Sequence, residues 1–188
     1  MDAIMFALVA VLLANADGRT GIALSRLIGM RSDRRVTVVI AFGAFLANAI
    51  VAAVAGAIAN RMIGQGVAAL LVALAMLTAA GALLWRMKPA PDAGDADTAP
   101  AVLAGRMLAS QFGDRSHFLI GALAATSGAG QWAAAGGFVG WVLAMLPFLA
   151  FGPALAGYRA ARYLRWLAAA ILIVWGLRTG LGAFGLIG

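Results

Sequence analysis

The sequence contains no cysteine, no glutamate, a single histidine and few charged residues of either sign. Without cysteine there is no disulfide framework, no thiolate metal site and no cysteine nucleophile. Charged residues make up 11% of the chain and apolar residues 64%, whereas a soluble globular protein has about 25% and about 45–50%. A soluble fold of 188 residues cannot bury so much apolar surface. The composition therefore excludes an ordinary soluble enzyme, a nucleic-acid-binding module and a disordered chain.

The sequence also contains few side chains that could serve in catalysis. One histidine supplies no Ser–His–Asp set, and all seven acidic residues are aspartates. The formal net charge of +7 is suggestive of nucleic-acid binding, but the basic residues are thinly spread between apolar runs. In a membrane protein such a surplus sets topology. We therefore expect no enzymatic activity and no nucleic-acid partner.

Long apolar runs indicate helices that cross a lipid bilayer. A hydrocarbon core about 30 Å thick needs roughly 20 apolar residues as helix. The runs lack the period-two alternation of a transmembrane barrel. The prediction is an all-α polytopic membrane protein with six transmembrane helices. The predicted spans are 3–27, 36–60, 63–86, 101–126, 131–156 and 163–186.

Basic residues predict the orientation of these spans. Ten of the fourteen lie in three loops that six spans would place on one side: Arg26, Arg31, Arg34, Arg35, Arg86, Lys88, Arg106, Arg159, Arg162 and Arg165. Cytoplasmic loops carry the excess of lysine and arginine. Both termini are therefore predicted to point outward, and we expect a multi-pass protein of a bacterial inner membrane.

A hydrophilic segment divides the chain into two halves. Residues 89–100 are acidic and proline-rich and contain no aromatic side chain. Such a segment buries too little apolar surface to order itself, so we interpret it as a cytoplasmic linker. It separates a first three-helix repeat, 1–88, from a second, 101–188.

Each half opens with a span that carries polar residues near its middle. The first reads Asn-Ala-Asp-Gly-Arg-Thr over 15–20, and the second reads Gln-Phe-Gly-Asp-Arg-Ser over 111–116. We call them the first and the second polar segment. An offset of 96 aligns Asn15 with Gln111 and Arg19 with Arg115. Because each half has an odd number of spans, the second copy would be inverted in the bilayer, and inverted repeats place transporter substrate sites near the midplane.

Depth and spacing make both segments candidates for a functional site. Each lies about 15–18 Å into its span at about 1.5 Å per residue, where a charge costs at least about 2.5–3.5 kcal/mol. In a continuous helix Gln111, Asp114 and Arg115 share one face. Asp17 would project away from Asn15 unless the helix unwinds at Gly18, since glycine tolerates such unwinding.

These segments resemble the marker of the Golgi-type calcium/manganese–proton antiporter family, the GDT family. That marker is two copies of Glu-apolar-Gly-Asp-Lys/Arg-Ser/Thr, one opening each three-helix repeat. The second segment matches everywhere except that Gln111 replaces glutamate. The first has Asn15 for glutamate and reverses the Gly-Asp order. The resemblance covers the whole chain, which would be a divergent bacterial member with both motif glutamates replaced.

The resemblance implies exchange of a divalent cation, manganese or calcium, for protons through a site between the repeats. In this sequence, the resemblance implies that the ion-binding residues are Asn15, Asp17, Thr20, Gln111, Asp114 and Ser116. Hard cations take oxygen ligands, so the direct metal ligands would be Asp17, Asp114, Gln111 and Asn15. Arg19 and Arg115 would tune the charge. An amide carries no proton in this pH range, so a proton would need Asp17, Asp114 or His117. Of these three, His117, the only histidine of the chain, is the one whose ordinary pKa lies near neutrality.

Several alternatives stay open. Asp114 with Arg115, and Asp17 with Arg19, would under a purely structural interpretation be ion pairs that lock the bundle. Asn15, Gln111 and Asn48 would then be interhelical hydrogen-bonding groups. The same fold could carry a small anion or zwitterion, because arginine binds anions. The chain could also be a non-transporting membrane scaffold. It contains no resident cofactor in any of these interpretations, and homo-oligomers are compatible with all of them.

Overall fold

The computed structural model describes residues 2–85 and 98–187, and the regular structure of these residues is helical throughout, with no strand. The first half contains α1 Asp2–Ala14, α2 Arg19–Met30, α3 Arg34–Met62 and α4 Gln65–Leu84. The second contains α5 Pro100–Gln111, α6 Arg115–Ser127, α7 Gly130–Phe151, a 3-10 helix Pro153–Gly157 and α8 Arg159–Ala183. The all-α prediction is confirmed. The predicted linker lies outside the described residues as far as residue 97, and Pro100 begins α5.

Four of these helices, α3, α4, α7 and α8, are long and apolar enough to cross a membrane. The pair α1 and α2 adds a fifth span if it is counted as one, although its two helices are bent by 73°. The chain is therefore compatible with a multi-pass membrane protein. The predicted span 101–126 is divided between α5 and α6, and each is shorter than the roughly 20 residues that a crossing needs. Among the described residues the helices that could cross therefore number four, or five with the bent pair, and not the six predicted.

Both spans that carry a polar segment are broken at that segment. Gly18 and Gly113 have φ angles of 67° and 74°, a left-handed conformation that glycine adopts without the usual steric cost. Accordingly α1 ends at Ala14 and α2 begins at Arg19, while α5 ends at Gln111 and α6 begins at Arg115. The prediction that Gln111, Asp114 and Arg115 share one helical face is therefore wrong, because no helix continues through them.

The two halves have the same order of elements: a broken helix pair followed by two long helices. The offset of 96 that aligns Asn15 with Gln111 also places α2 over α6 and α4 within α8. It places α3 over α7 together with the 3-10 helix. The correspondence fails in one detail, because α3 is continuous whereas α7 ends at Phe151, before Gly152 (φ 74°) and Pro153.

Side-chain and glycine contacts give the relative directions of the helices. Phe42 and Phe45 of α3 meet Trp141 of α7, whereas Ala53 and Ala57 lie against Gly130, so α3 and α7 are antiparallel. Helices α4 and α8 are also antiparallel, since Gly66 approaches Ala183 and Ala73 approaches Gly176 and Gly180.

The pairs α1–α7 and α3–α6 run parallel instead. Ile4 and Leu8 of α1 lie against Gly136 and Gly140 of α7. On α6, His117 stacks on Phe45, and Ala125 accepts a hydrogen bond from Asn60, so residue numbers rise together along α3 and α6.

Small residues allow the helix backbones to approach closely. A Cβ at Gly136 or Gly140 would overlap the carbonyl oxygen of Ile4 or Leu8. The G-x-x-x-G spacing therefore serves helix packing, as it does in membrane helix pairs. Near this contact Trp141, 1% exposed, stacks on Phe45 with ring centroids 4.3 Å apart. These contacts fix α1, and thus the first polar segment, against the centre of the second half.

Candidate functional site

The two polar segments contact each other at the centre of the bundle. Asn15 donates a hydrogen bond from Nδ2 to Ser116 Oγ at 2.9 Å. Arg115 donates from Nη2 to both carboxylate oxygens of Asp17, at 2.6 and 2.7 Å. These residues are about one hundred positions apart in the sequence. The two polar segments therefore meet through Asn15 and Asp17 on one side and Arg115 and Ser116 on the other, and we call this contact the junction.

The break at Gly18 is the local reason that Asp17 reaches the junction. In a continuous helix Asp17 would point away from Asn15. With α1 ended at Ala14, the Asp17 carboxylate turns to Arg115 and its Oδ1 also accepts a hydrogen bond from the Arg19 backbone N–H at 3.2 Å. The side chains of Arg115 and Asp17 are only 14% and 13% exposed, so each charge depends on the other for compensation.

This ion pair differs from both structural alternatives drawn from the sequence. Those alternatives paired neighbours within one segment, Asp114 with Arg115 and Asp17 with Arg19. The salt bridge instead crosses from one half to the other. An ion pair between halves stabilises their contact, whereas a pair within one segment would leave it unaffected.

Two amide oxygens at equivalent positions are buried without a hydrogen-bond partner. Asn15 is 2% exposed and donates through Nδ2 to Val11 O and to Ser116, which leaves its Oδ1 as a buried acceptor without a donor. The side-chain oxygen Oε1 of Gln111 is in the same condition. A buried polar atom without a partner costs about 1–3 kcal/mol. Such atoms are candidate ligand contacts because a bound cation or a donor would remove that cost.

Asp114 and Ser116 extend the junction on the side of the second half. Ser116 is fully buried, and its Oγ donates to Asp114 Oδ2 at 3.3 Å while it accepts from Asn15. Asp114 forms no ion pair with any residue in 2–85 or 98–187. The junction therefore holds one carboxylate engaged by arginine and one that is not.

The remaining predicted site residues are Thr20, Arg19 and His117. Thr20 lies half-buried in the first turn of α2, and Arg19 contributes its backbone N–H to Asp17. His117 faces α3 instead: its Nε2 lies 3.3 Å from the carbonyl oxygen of Phe45 and its ring lies against the Phe45 ring. Its Nδ1 is buried without a partner. A role for His117 in proton transfer stays a prediction.

The sequence gives weaker indications of two further residues near the junction than it does of the polar segments. Asn48 of α3 donates to the carbonyl oxygen of Leu108 at 3.0 Å and so attaches α3 to the last turn of α5, as expected of an interhelical hydrogen-bonding group. Phe148 of α7 packs its ring on the first break, where a Cβ at Gly18 or Gly21 would overlap it. Nothing in the apolar run around Phe148 distinguishes it from its neighbours.

A separate charged contact lies in the loop between α2 and α3, away from the junction. Arg31 donates to Asp33 from Nε and Nη2 at 2.7 and 2.8 Å. The hydrogen bonds from the Arg31 guanidinium hold the pKa of the Asp33 carboxyl below its ordinary value. This contact fixes the turn into α3 and leaves Asp33 as a carboxylate unrelated to the proposed site.

The ligand chemistry at the junction is oxygen-based. In the part of the chain that is described, no three His, Cys, Asp or Glu side chains are grouped so as to hold a metal ion. A cation at the junction would take its oxygens from carboxylate, amide and hydroxyl groups in combination, and hard cations accept all three.

In comparisons with known proteins, no protein-family model, no curated protein and no solved structure matches this chain.

Proposed function

We propose that the chain is a secondary transporter built from two inverted three-helix repeats. The equivalent helices of the two halves, α3 with α7 and α4 with α8, run in opposite directions, as inversion requires. The parallel pairs α1–α7 and α3–α6 also agree with six alternating spans in which α1–α2 and α5–α6 each count as one. Substrate sites of such transporters lie near the midplane, at discontinuous helices where the repeats meet.

The proposed orientation has the basic end in the cytoplasm. Helix directions and chain connections bring the end of α2, the start of α3 and the start of α8 to the same end of the bundle. That end carries Arg26, Arg31, Arg34, Arg35, Arg159, Arg162 and Arg165. An excess of arginine at one end agrees with the positive-inside rule, with both termini outward.

The cargo we propose is a small divalent cation, manganese or calcium, exchanged for protons. The observation that carries this proposal is the pair of buried, unpartnered oxygens, Asn15 Oδ1 and Gln111 Oε1, at equivalent positions of the two halves. They are acceptors without donors, which is the chemistry that a cation satisfies. Asp114 supplies negative charge near Asn15, because Ser116 is hydrogen-bonded to both side chains.

In the proposed exchange, the cation and the Arg115 guanidinium bind the Asp17 carboxylate in turn. The Arg115 guanidinium neutralises Asp17 in this structure. An entering cation competes for that carboxylate, so binding requires Arg115 to withdraw, and Arg115 returns when the cation leaves. The protons carried in the opposite direction would bind Asp17, Asp114 or His117, because the amides of Asn15 and Gln111 do not titrate in this pH range.

Replacing Asp114 with asparagine is expected to lower manganese and calcium flux into proteoliposomes roughly tenfold or more. The substitution keeps the size of the side chain and removes a carboxylate that forms no ion pair within residues 2–85 and 98–187, and a tenfold loss of cation affinity corresponds to about 1.4 kcal/mol. The measurement is ion-dependent uptake driven by a proton gradient, with the amount of folded protein matched between variants.

Asp2→Asn is the control, since Asp2 is an exposed carboxylate at the start of α1, away from the junction. It should leave flux unchanged. Unchanged flux in Asp114→Asn would contradict the site assignment. If the unaltered chain moves neither cation in either direction, the transport proposal fails, and the scaffold or another solute takes its place.

A further inference from the structure

A cavity of about 460 Å³ leads from the second break along α3 and α6. It is bounded by Phe112 and Gly113 of the second polar segment, and from there it runs between Ala52 and Ala55 of α3 and His117 of α6. A Cβ at Gly113 would meet no atom within 4 Å. At about 30 Å³ per molecule, the volume corresponds to roughly fifteen waters.

The cavity is lined mainly by apolar side chains, with Asn48 and His117 as the polar residues among them. The cavity also begins beside a non-helical backbone segment, which is tolerated at membrane depth where it lines a water-filled space or is buried in protein.

The equivalent space in the other half is filled. The offset of 96 that relates the halves pairs Ala52 with Phe148 and His117 with Gly21. The Phe148 ring packs so closely on Gly18 and Gly21 that a Cβ at either would overlap it. Where one half has an alanine beside an open cavity, the other half has a phenylalanine ring against the break.

The open space and the filled space lead to opposite ends of the bundle. The cavity follows α3 and α6, which run parallel, from the second break toward Ala59 and Ala125. Phe148 lies on α7, which is antiparallel to α3. From the first break, where Phe148 packs, α2 continues to the basic end of the bundle, whereas Ala59 lies near the opposite, outer end.

We infer that the cavity is an open access route from the outer end to the second break, beside the junction, and that Phe148 closes the equivalent route from the basic end. The inference rests on the proposed function, because it names how the transported solute reaches the site. The chain is then in its outward-open state. Inward opening requires Phe148 to leave Gly18 and Gly21, and the cavity beside Ala52 to close.

The outer route is tested by the rate at which single cysteines react with a membrane-impermeant maleimide added to the outer side. The chain has no native cysteine, so each variant carries one thiol. Ala55→Cys lies in the cavity, and Val54→Cys, on the same turn of α3 but outside the lining and 53% exposed, is the matched lipid-facing control. We expect Ala55→Cys to react at least roughly tenfold faster. Equal rates would show that the cavity holds no water and would overturn the route.

The closed route is tested from the basic end with Ser25→Cys, the equivalent of the cavity residue Gly121. Labelling from that end should be slow, and Phe148→Ala should accelerate it at least roughly tenfold, with Phe148→Leu intermediate if the alanine variant does not fold. Phe151→Ala, on the same helix with a 75% exposed ring, is the control and should change nothing. An unchanged Ser25→Cys rate in Phe148→Ala and Phe148→Leu would overturn the closing role. Labelling needs no cargo, so its outcome is separate from the flux measurements.

Discussion

Replacing Asp17 with asparagine is expected to destabilise the folded chain by about 3–5 kcal/mol. The substitution leaves the Arg115 guanidinium, 14% exposed, without the carboxylate that compensates its charge, and removing one member of a buried ion pair costs this much because the remaining charge stays desolvated. The measurement is denaturant unfolding in a fixed detergent, followed by a signal from the tryptophans.

The double substitution Asp17→Asn with Arg115→Gln distinguishes lost charge compensation from damage to the site. Removing both charges should recover most of the stability that the single substitution loses, since replacing both partners of a buried pair is often neutral. Asp2→Asn, an exposed aspartate of α1, is the control and should have no effect. A single variant as stable as the unaltered chain would show that the ion pair between the halves does not form.

Replacing Gly140 with valine is expected to lower the yield of folded protein severely. A Cβ at this position would overlap the carbonyl oxygen of Leu8. That oxygen belongs to the α1 backbone, so relief requires the whole helix to move. Overpacking a core costs about 1–3 kcal/mol where side chains can adjust, and we expect more than about 3 kcal/mol here. The yield of monodisperse protein in detergent and its melting temperature measure the effect.

Gly43→Val separates this steric effect from the general properties of valine in a helix. Gly43 lies in α3 with nothing within 4 Å of its Cβ position. Because glycine is a poorer helix former than valine in a helix interior, Gly43→Val should match or slightly exceed the stability of the unaltered chain. Equal stability of the two variants would mean that α1 and α7 are not in close contact.

The helical fold could be predicted from composition and hydrophobic run length, because both report directly on burial in lipid. The start of α3 and the end of α4 fell within two residues of the predicted spans. The two breaks were harder to place. Gly18 and Gly113 mark positions where a left-handed conformation is possible, but only the packing around them decides whether it is adopted.

The junction was predictable in outline and not in detail. The offset between Asn15 and Gln111 predicted which segments belong together. It did not predict that Arg115 would pair with Asp17 rather than with its neighbour Asp114, because that choice depends on the bend between α1 and α2. Phe148 was not predictable at all, since its role is defined by contact with glycines more than a hundred residues away.

The most direct test of the account is a cross-link between the two polar segments. In the cysteine-free chain, Asn15→Cys and Ser116→Cys replace side chains that are hydrogen-bonded at 2.9 Å. A short thiol-specific cross-linker should join them in membranes, whereas Asn15→Cys with Ser127→Cys, about 16 Å further along α6 by helical rise, should remain uncoupled. Efficient coupling of the first pair alone is the predicted result. No coupling of Asn15→Cys to Ser116→Cys, with both thiols reactive, would contradict a site shared by the two halves.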